Sequence, residues 1–336
     1  MEVSVVIVTY RSGRMLGRCL DSLERDTSAE AEVIVVDNGA EGGEIEEARA
    51  REKVQVLGDG TNLGYAAGSN LGARQAKGAV LFFLNPDTVV EPGTLGALVK
   101  RLEDESIGIA MPRLRLLDEP ELLNSRGATV HLSGMGWSDG FRAPAASVDG
   151  LLEIPYANGS VLAIRRRLFE ELGGFTEKYF IYLEDLELCW RARMRGLRIV
   201  LDPAGDVLHD YEHGRNPTKN YFMERNRLIF VGTAYSLRLL LLLAPVLAAA
   251  EAGLLLVALR EGWLDDKLRG WRWCAGHGRW LLRHRRRLQA ERTVSDGELS
   301  RYLTPVVDPK MISVPAAIQV ANRLVARYWS MSRRLL

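Results

Sequence analysis

Val80-Leu81-Phe82-Phe83-Leu84 is apolar at every position and runs directly into Asn85-Pro86-Asp87. No polar residue alternates within the run, so both of its faces must be covered. That is the pattern of a central strand in a sheet flanked by helices. Pro86 has no N–H to offer a ladder and ends the strand. Asp87 then stands just past the carboxyl end of a central strand, where ligands bind in open α/β sheets. A carboxylate on a rigid strand end, beside an amide, suits a divalent cation that carries phosphate oxygens. The same residues also make an ordinary turn leading to a helix near Glu91-Pro92.

Around this strand the first third of the chain alternates strands and helices. Strands are expected over 3–9, 32–37 and 54–57, and helices over 13–24, 44–50 and 65–75. That alternation predicts a doubly wound, mainly parallel, Rossmann-like α/β sheet over roughly the first 110 residues. The dinucleotide version is excluded, because Thr9-Tyr10-Arg11-Ser12-Gly13-Arg14 lacks Gly-x-Gly-x-x-Gly after the first strand. Glycines come later, in Asn62-Leu63-Gly64-Tyr65-Ala66-Ala67-Gly68-Ser69-Asn70. A loop-to-helix entry of this kind suits anions. Close packing of a small-residue helix on the sheet explains the glycines equally well.

From 107 to 164 the pattern breaks into shorter strand-like pieces, with a small, polar loop at 137–147. A strand over 160–164 and a helix over 165–172 follow. A further helix is expected from Asp185, with Leu186, Cys189 and Trp190 at helical spacing and Gly196 as its stop. The pieces 197–201 and 206–209 read as strands, and 219–235 as a helix. Glu184 and Asp185 at a helix start are either functional acids or a cap.

The chain has 336 residues, enough for a large core or a core with an appendage. Its 44 Lys and Arg nearly cancel 43 Asp and Glu, so no nucleic-acid partner is indicated. Cys19, Cys189 and Cys274 lie far apart and read as inert thiols of a reducing compartment. The chain enters Val3-Ser4-Val5 without a basic region or cleavage site, so no secretion signal is expected.

Several motifs recur in a fixed order: Thr9-Tyr10, Asp37-Asn38, the 62–70 glycine loop, Asn85-Pro86-Asp87, Glu184-Asp185 before Trp190-Arg191, and His209. Together they resemble the family 2 inverting glycosyltransferases of the GT-A fold, in particular the rhamnosyltransferase-like subgroup of cell-envelope glycan assembly. The resemblance spans Glu2 to about Tyr235, including Glu224-Arg225-Asn226-Arg227. It implies a donor pocket with Thr9, Tyr10, Asp37, Asn62, Gly64, Asn70 and Asn85. Asn85-Pro86-Asp87 stands where the family has an Asp-x-Asp metal motif, so Asp87 would hold Mg2+ or Mn2+, with His209 as a further ligand. The first acid of that motif is Asn85 here. Asp185 matches the general base, with Glu184 in support. Asp37 as a turn acid and His209 as a hydrogen-bonded histidine at a sheet edge stay open.

The C-terminal third differs in character. Leu239-Leu240-Leu241-Leu242-Leu243 opens an apolar run that reaches Leu259, near the ~20 residues that span a bilayer, with Pro245 and Glu251 inside it. Arginines and tryptophans then interleave at Arg269, Trp271, Arg272, Trp273, Arg279 and Trp280, which suits a headgroup zone. A basic amphipathic helix is expected over 315–336, carrying Ile318, Leu324, Val325, Tyr328 and Trp329. The expected organisation is a GT-A domain over 1–235, with a nucleotide-sugar half at 1–115 and an acceptor half at 116–235. A helical, membrane-associating region over 236–336 would hold it at the cytoplasmic face. A helical appendage packed on the catalytic domain or on a second copy, in a homo-oligomer, is the other reading of that region.

The expected activity is sugar transfer from a nucleotide-sugar donor to a glycan or polyprenyl-linked acceptor. Two alternatives remain at this level. A sugar-nucleotide pyrophosphorylase would want a richer phosphate loop than Arg11-Ser12-Gly13-Arg14, and an inactive membrane-attached scaffold would bind nucleotide without turnover or not bind it at all.

Overall fold

The computed structural model describes residues 2–211, 218–309 and 316–336. In chain order the elements begin with β1 (Val3–Thr9), α1 (Arg14–Arg25), β2 (Ala31–Asp37), α2 (Glu44–Arg49), β3 (Val54–Leu57), α3 (Gly64–Gln75) and β4 (Val80–Leu84). Next come β5 (Thr88–Val90), α4 (Thr94–Arg101), β6 (Ile107–Leu116), β7 (Leu123–Ser125), β8 (Ala128–His131) and β9 (Gly136–Ser138). Then follow β10 (Leu152–Glu153), β11 (Val161–Arg165), α5 (Arg166–Leu172), α6 (Glu184–Met194) and β12 (Arg198–His209).

The main sheet has the order β10-β12-β6-β11-β4-β1-β2-β3, with β5 on β12 and β7 on β6. β1 lies parallel to β2 and β4, and β2 to β3. β11 is antiparallel to both β4 and β6, and β12 is parallel to β6. The long strands β3, β2, β1, β4, β6 and β12 therefore all point one way, and their carboxyl ends share one edge. Every residue of β4 is buried, as its unbroken apolar run requires. Phe82 and Phe83 are among the largest fully buried side chains, each stabilising the fold by about 1.5–3 kcal/mol.

The glycine question is settled in part by packing. A Cβ at Gly68 would meet Val8 at 2.9 Å, and one at Gly72 would meet Val6 at 2.5 Å. These two glycines let α3 lie against β1. Two expectations about strands are corrected. The pieces 197–201 and 206–209 are one strand, β12, carried past Pro203-Ala204-Gly205 by an irregularity between Asp202 and Asp206. The region after 107 opens on a single ten-residue strand, β6.

By packing, the chain forms two units. Among the described residues, one holds 2–128, 138–192 and 197–211, and the other 129–137, 193–196, 218–309 and 316–336. This division and the expected boundary after Tyr235 do not coincide, because α7 (Lys219–Ala234) packs with α9 (Leu264–Gly276) and α10 (Gly278–Glu291). The second unit also holds α8 (Leu237–Glu261), α11 (Asp296–Leu299), β13 (Leu303–Thr304) and α12 (Ala316–Ser332). The expected start of the last helix at Pro315 lies outside the described residues.

Within the second unit, α7 supplies Glu224 and Arg227 to a buried ionic network. Arg227 pairs with Glu224 at 3.1 Å and with Glu251 at 2.5 Å. Lys267, fully buried, reaches Glu224 at 2.6 Å and Glu251 at 2.9 Å. Glu251 also accepts the Trp271 indole N–H at 2.7 Å. The acid inside the apolar run is thus neutralised by protein partners, as a buried charge must be. Trp273 likewise stacks on His277, so part of the tryptophan series is used inside the unit. The outer side of α8 is different: Leu237, Leu241 and Leu259 are mostly exposed. Among the described residues α8 alone is long and apolar enough to cross a membrane.

Candidate active site

The site is built at the carboxyl edge of the main sheet, all within the first unit. Thr9 and Asp37 are register partners at the ends of β1 and β2. Thr9 is buried, and its hydroxyl contacts the Ser12 hydroxyl and lies 3.4 Å from a Glu44 carboxylate oxygen. Tyr10 turns outward and is half exposed, its ring lying over Gly39, where a Cβ would come within 3.0 Å. Asp37 Oδ1 accepts the N–H groups of Gly39 and Ala40 at 3.1 and 3.0 Å. It is a turn acid by that oxygen, while Oδ2 faces Gly60, whose missing side chain keeps the space beside it open.

The 62–70 loop is held by side chains. Asn62 Oδ1 accepts from Asn38 Nδ2 at 3.1 Å and from the Gly64 N–H at 2.9 Å. Gly64 has φ +79°, and a Cβ there would strike Phe180 at 2.5 Å, so only glycine fits. Asn70 is buried, with its amide bonded to the Phe175 backbone at 2.9 and 2.8 Å and to Glu177 at 3.1 Å. Its side chain fastens α3 to the segment before α6.

Asn85 and Asp87 emerge from β4 as expected. The Asn85 N–H donates to the Ser160 carbonyl at 2.9 Å. Asp87 Oδ1 is buried, meets no hydrogen-bond donor, and lies 3.3 Å from His209 Nε2. The imidazole is oriented from behind by Asn124, whose Oδ1 lies 3.0 Å from Nδ1. An orphaned carboxylate oxygen facing a clamped imidazole nitrogen fits a divalent cation. Among the described residues no third His, Cys, Asp or Glu joins this pair.

Glu184 and Asp185 open α6 after an unusual approach. Phe180, Tyr182 and Leu183 all have φ between 64° and 69°, costly for residues with side chains. At Phe180 the values φ 65°, ψ −65° and the bond from the Ile181 N–H to the Tyr179 carbonyl at 2.8 Å define a strained γ-turn. The Phe180 carbonyl accepts the Ala66 N–H at 3.1 Å, which anchors that turn to α3. At the other side, buried Arg191 pairs with Glu187 at 2.8 Å and donates to the carbonyl of Leu172, the last residue of α5, and to that of Gly174 just beyond it. The Trp190-Arg191 motif thereby fixes α6.

Asp185 is half-buried, and two backbone N–H groups hold its carboxylate: Leu186 on Oδ1 at 2.7 Å and Gly159 on Oδ2 at 2.8 Å. The Tyr65 hydroxyl donates to the Gly159 carbonyl at 3.0 Å. Burial pushes the Asp185 carboxyl up to about 6, against the pull of those N–H groups. Glu184, deeper and with Oε2 unpartnered, is pushed up further by burial and by its charged neighbour. Burial thus weakens both neighbouring acids as carboxylic acids go.

Sequence reasoning missed Gly159 and Asn124. Asn158-Gly159 reads only as a turn, and nothing near Asn124 marks it as the partner of a histidine 85 positions away. A wide concavity of about 860 Å3 also opens on this unit, lined by Glu30, Glu32, Lys53 and Lys77 at the amino-terminal ends of the strands. It holds none of the expected site residues.

Nucleotide-handling strands joined in this order to a carboxylate-bearing helix are the architecture of the GT-A glycosyltransferases. The chain belongs to glycosyl transferase family 2, whose family model matches residues 4–173, and it is a glycosyltransferase. Among its relatives, the low-salt glycan biosynthesis hexosyltransferase Agl10 of Haloferax volcanii is 26% identical over 249 residues, 70% of this chain and 77% of that protein. The N-acetylglucosaminyl-diphospho-decaprenol L-rhamnosyltransferase of Mycobacterium tuberculosis is 30% identical over 246 residues, 64% of this chain and 79% of its own. Solved structures agree on the fold. GalNAc-T7 with UDP, GalNAc and Mn2+ gives a TM-score of 0.55 at 18% identity, covering 69% of this chain but only 48% of that one. The mannosyltransferase PcManGT from Pyrobaculum calidifontis, in complex with GDP-Man and Mn2+, gives 0.52 at 16%, covering 97% of this chain and 87% of that one.

Proposed function

We propose that this enzyme moves a sugar, with rhamnose as the leading candidate, from a dTDP- or UDP-linked donor to a hydroxyl of a lipid-linked or cell-envelope glycan, with inversion at the anomeric carbon. One observation carries the reading: the Asp185 carboxylate is held by two backbone N–H groups, is weakened by burial, and keeps an open face. The mycobacterial relative supports the choice of sugar and of a polyprenyl-linked acceptor, and the Haloferax relative supports glycan assembly.

In this mechanism Asp185 accepts the proton of the acceptor hydroxyl as that oxygen bonds to the anomeric carbon and the bond to the diphosphate breaks. A base near neutrality takes a proton more readily than an ordinary carboxylate while staying ionised at pH 7. Glu184 keeps its own proton and so adds no second charge beside the base. Tyr10 and Asp37 Oδ2 take the base of the nucleotide, Thr9 and Asn85 line the same pocket, and Asn62, Gly64 and Asn70 shape its floor. Asp87 and His209 would hold Mg2+ or Mn2+, a role supported by the orphaned Asp87 oxygen and by two Mn2+-bound relatives of the same fold. When bound, the cation offsets the charge of the departing diphosphate.

In this reading 1–115 serves the donor and 116–235 the acceptor, while 236–336 attaches the enzyme to the cytoplasmic face of the membrane through the exposed leucines of α8. The test is a donor screen: the full-length protein, a panel of dTDP-, UDP- and GDP-sugars with Mn2+ or Mg2+, and a readout of released nucleoside diphosphate. Release from one donor, accelerated by a glycolipid extract, is expected. No release and no nucleotide binding across the panel would overturn the reading.

A further inference from the structure

We propose that α8 lies flat in one leaflet of a bilayer and does not cross it, with anionic phospholipid as its partner; the proposal deepens the membrane attachment read above and rests on it. Length allows either arrangement. The 25 residues of α8 make a rod of ~37 Å, against ~30 Å of hydrocarbon in a bilayer. What decides is where the chain goes on each side of the helix.

The elements before and after α8 are partners of one another. α7 precedes it and α9 and α10 follow it, yet α7 packs against both. From α10, Arg285 donates to the carbonyls of Gly232 and Tyr235 at 2.8 and 2.6 Å. Gln289 donates to those of Thr233 and Ala234 at 3.1 and 3.0 Å. The Ser236 hydroxyl caps α8 by accepting the Leu239 N–H at 3.0 Å, and donates to Asp296 at 2.6 Å. Both flanks of α8 therefore stand on the same side of any membrane it meets. A single crossing would pull them apart.

The inner side of α8 is taken by protein. Leu239, Leu243 and Val246, at the spacing of one helix face, are buried, as is Ala258. Glu251 is tied there to Arg227 and Lys267. An upright α8 would carry this ionic network, with the exposed Arg269 and Arg272 of α9, to the depth of the hydrocarbon, where charges are costly.

The outer side suits lipid. From Leu241 to Leu259 every exposed position is Leu, Val, Ala, Gly or Pro, and Arg238 and Arg260 stand exposed at the two ends. Leu241 is 68% exposed. α12 runs beside this helix: the Tyr328 hydroxyl donates to the Leu242 carbonyl at 2.6 Å, and Arg238 donates to the Leu335 carbonyl. The exposed Val320, Leu324 and Met331 of α12 share a face with exposed Arg327. Leucines beside arginines put hydrocarbon and phosphate within reach of one surface, as an interfacial helix requires, and the excess of arginine selects anionic headgroups.

The test uses full-length protein on vesicles of phosphatidylcholine and phosphatidylglycerol. In a Cys274→Ser background, Leu241→Cys, Ala248→Cys and Leu256→Cys each carry a nitroxide, whose accessibility to oxygen and to a nickel chelate reads depth. A flat helix predicts three similar depths within one leaflet, and a bound fraction that falls severalfold without phosphatidylglycerol. A middle label much deeper than both others means a span and overturns the proposal. Labels broadened by a neighbouring label and shielded from oxygen mean that a second copy covers the face, which also overturns it. Equal binding to phosphatidylcholine alone rejects the anionic partner, and protein that binds no vesicle rejects the membrane attachment as a whole. Calorimetry with UDP and dTDP plus Mn2+ on the same samples judges the transferase reading separately, because label depth does not depend on nucleotide.

Discussion

Gly159 donates its N–H to the Asp185 carboxylate at 2.8 Å, and a side chain there would crowd that bond: a Cβ on Gly159 would stand 3.0 Å from the accepting oxygen. The next residue, Ser160, accepts the Asn85 N–H at 2.9 Å. One dipeptide therefore ties the end of β4 to the start of α6, and with it the segment carrying Asp87 to the helix carrying Asp185.

Gly159→Ala should displace the base and leave the donor pocket alone. Turnover is expected to fall about tenfold or more, as small misplacements of reacting groups do, while nucleoside diphosphate affinity stays within twofold on the same preparation. Unchanged turnover would mean that this bond does not position the base.

The acid pair makes two pH statements. Turnover should rise with pH through about 6 as Asp185 loses its proton. Stability runs the other way. A carboxyl weakened by folding holds a proton that the unfolded chain has released, so stability is full below the ordinary carboxyl range and is lost as pH rises above it. Glu184, raised further by burial, should cost the fold most at alkaline pH. Glu184→Gln is expected to raise Tm at pH 8 and leave it unchanged at pH 4. An equal shift at both values would contradict a buried, protonated Glu184.

Asp87→Ala should abolish the Mn2+-dependent part of nucleoside diphosphate affinity, and His209→Ala should weaken it. Titration calorimetry with and without Mn2+ reads both. Retained metal dependence in Asp87→Ala would remove Asp87 from the cation site.

The exposed leucines of α8 predict attachment to a bilayer. Full-length protein should float with vesicles containing anionic lipid, and Leu241→Glu with Leu259→Glu should reduce the bound fraction severalfold, since a charge at membrane depth is costly. Full-length protein that stays wholly unbound would refute the assignment.

The first half of the sheet was legible because β4 is apolar throughout and β1, β2 and β3 are rich in Val and Ile between helical stretches. β12 was read as two pieces because Pro203 and Gly205 are ordinary strand breakers, and only the β6 partner shows that pairing resumes after the irregularity. The acids Asp87 and Asp185 were visible as residue types at element ends. Their supports were not. Gly159, Tyr65 and Asn124 act across long sequence separations, and the strained turn at Phe180 exists because tertiary packing overrides what that residue prefers.

The most direct test of the account is turnover of Asp185→Asn beside wild type, with nucleoside diphosphate affinity and Tm measured on the same samples. An amide keeps the shape and can still cap α6, but it cannot take the acceptor proton. The account predicts a loss of about 10²–10⁴ in turnover with donor affinity and Tm essentially unchanged. Near-normal turnover in Asp185→Asn would contradict it.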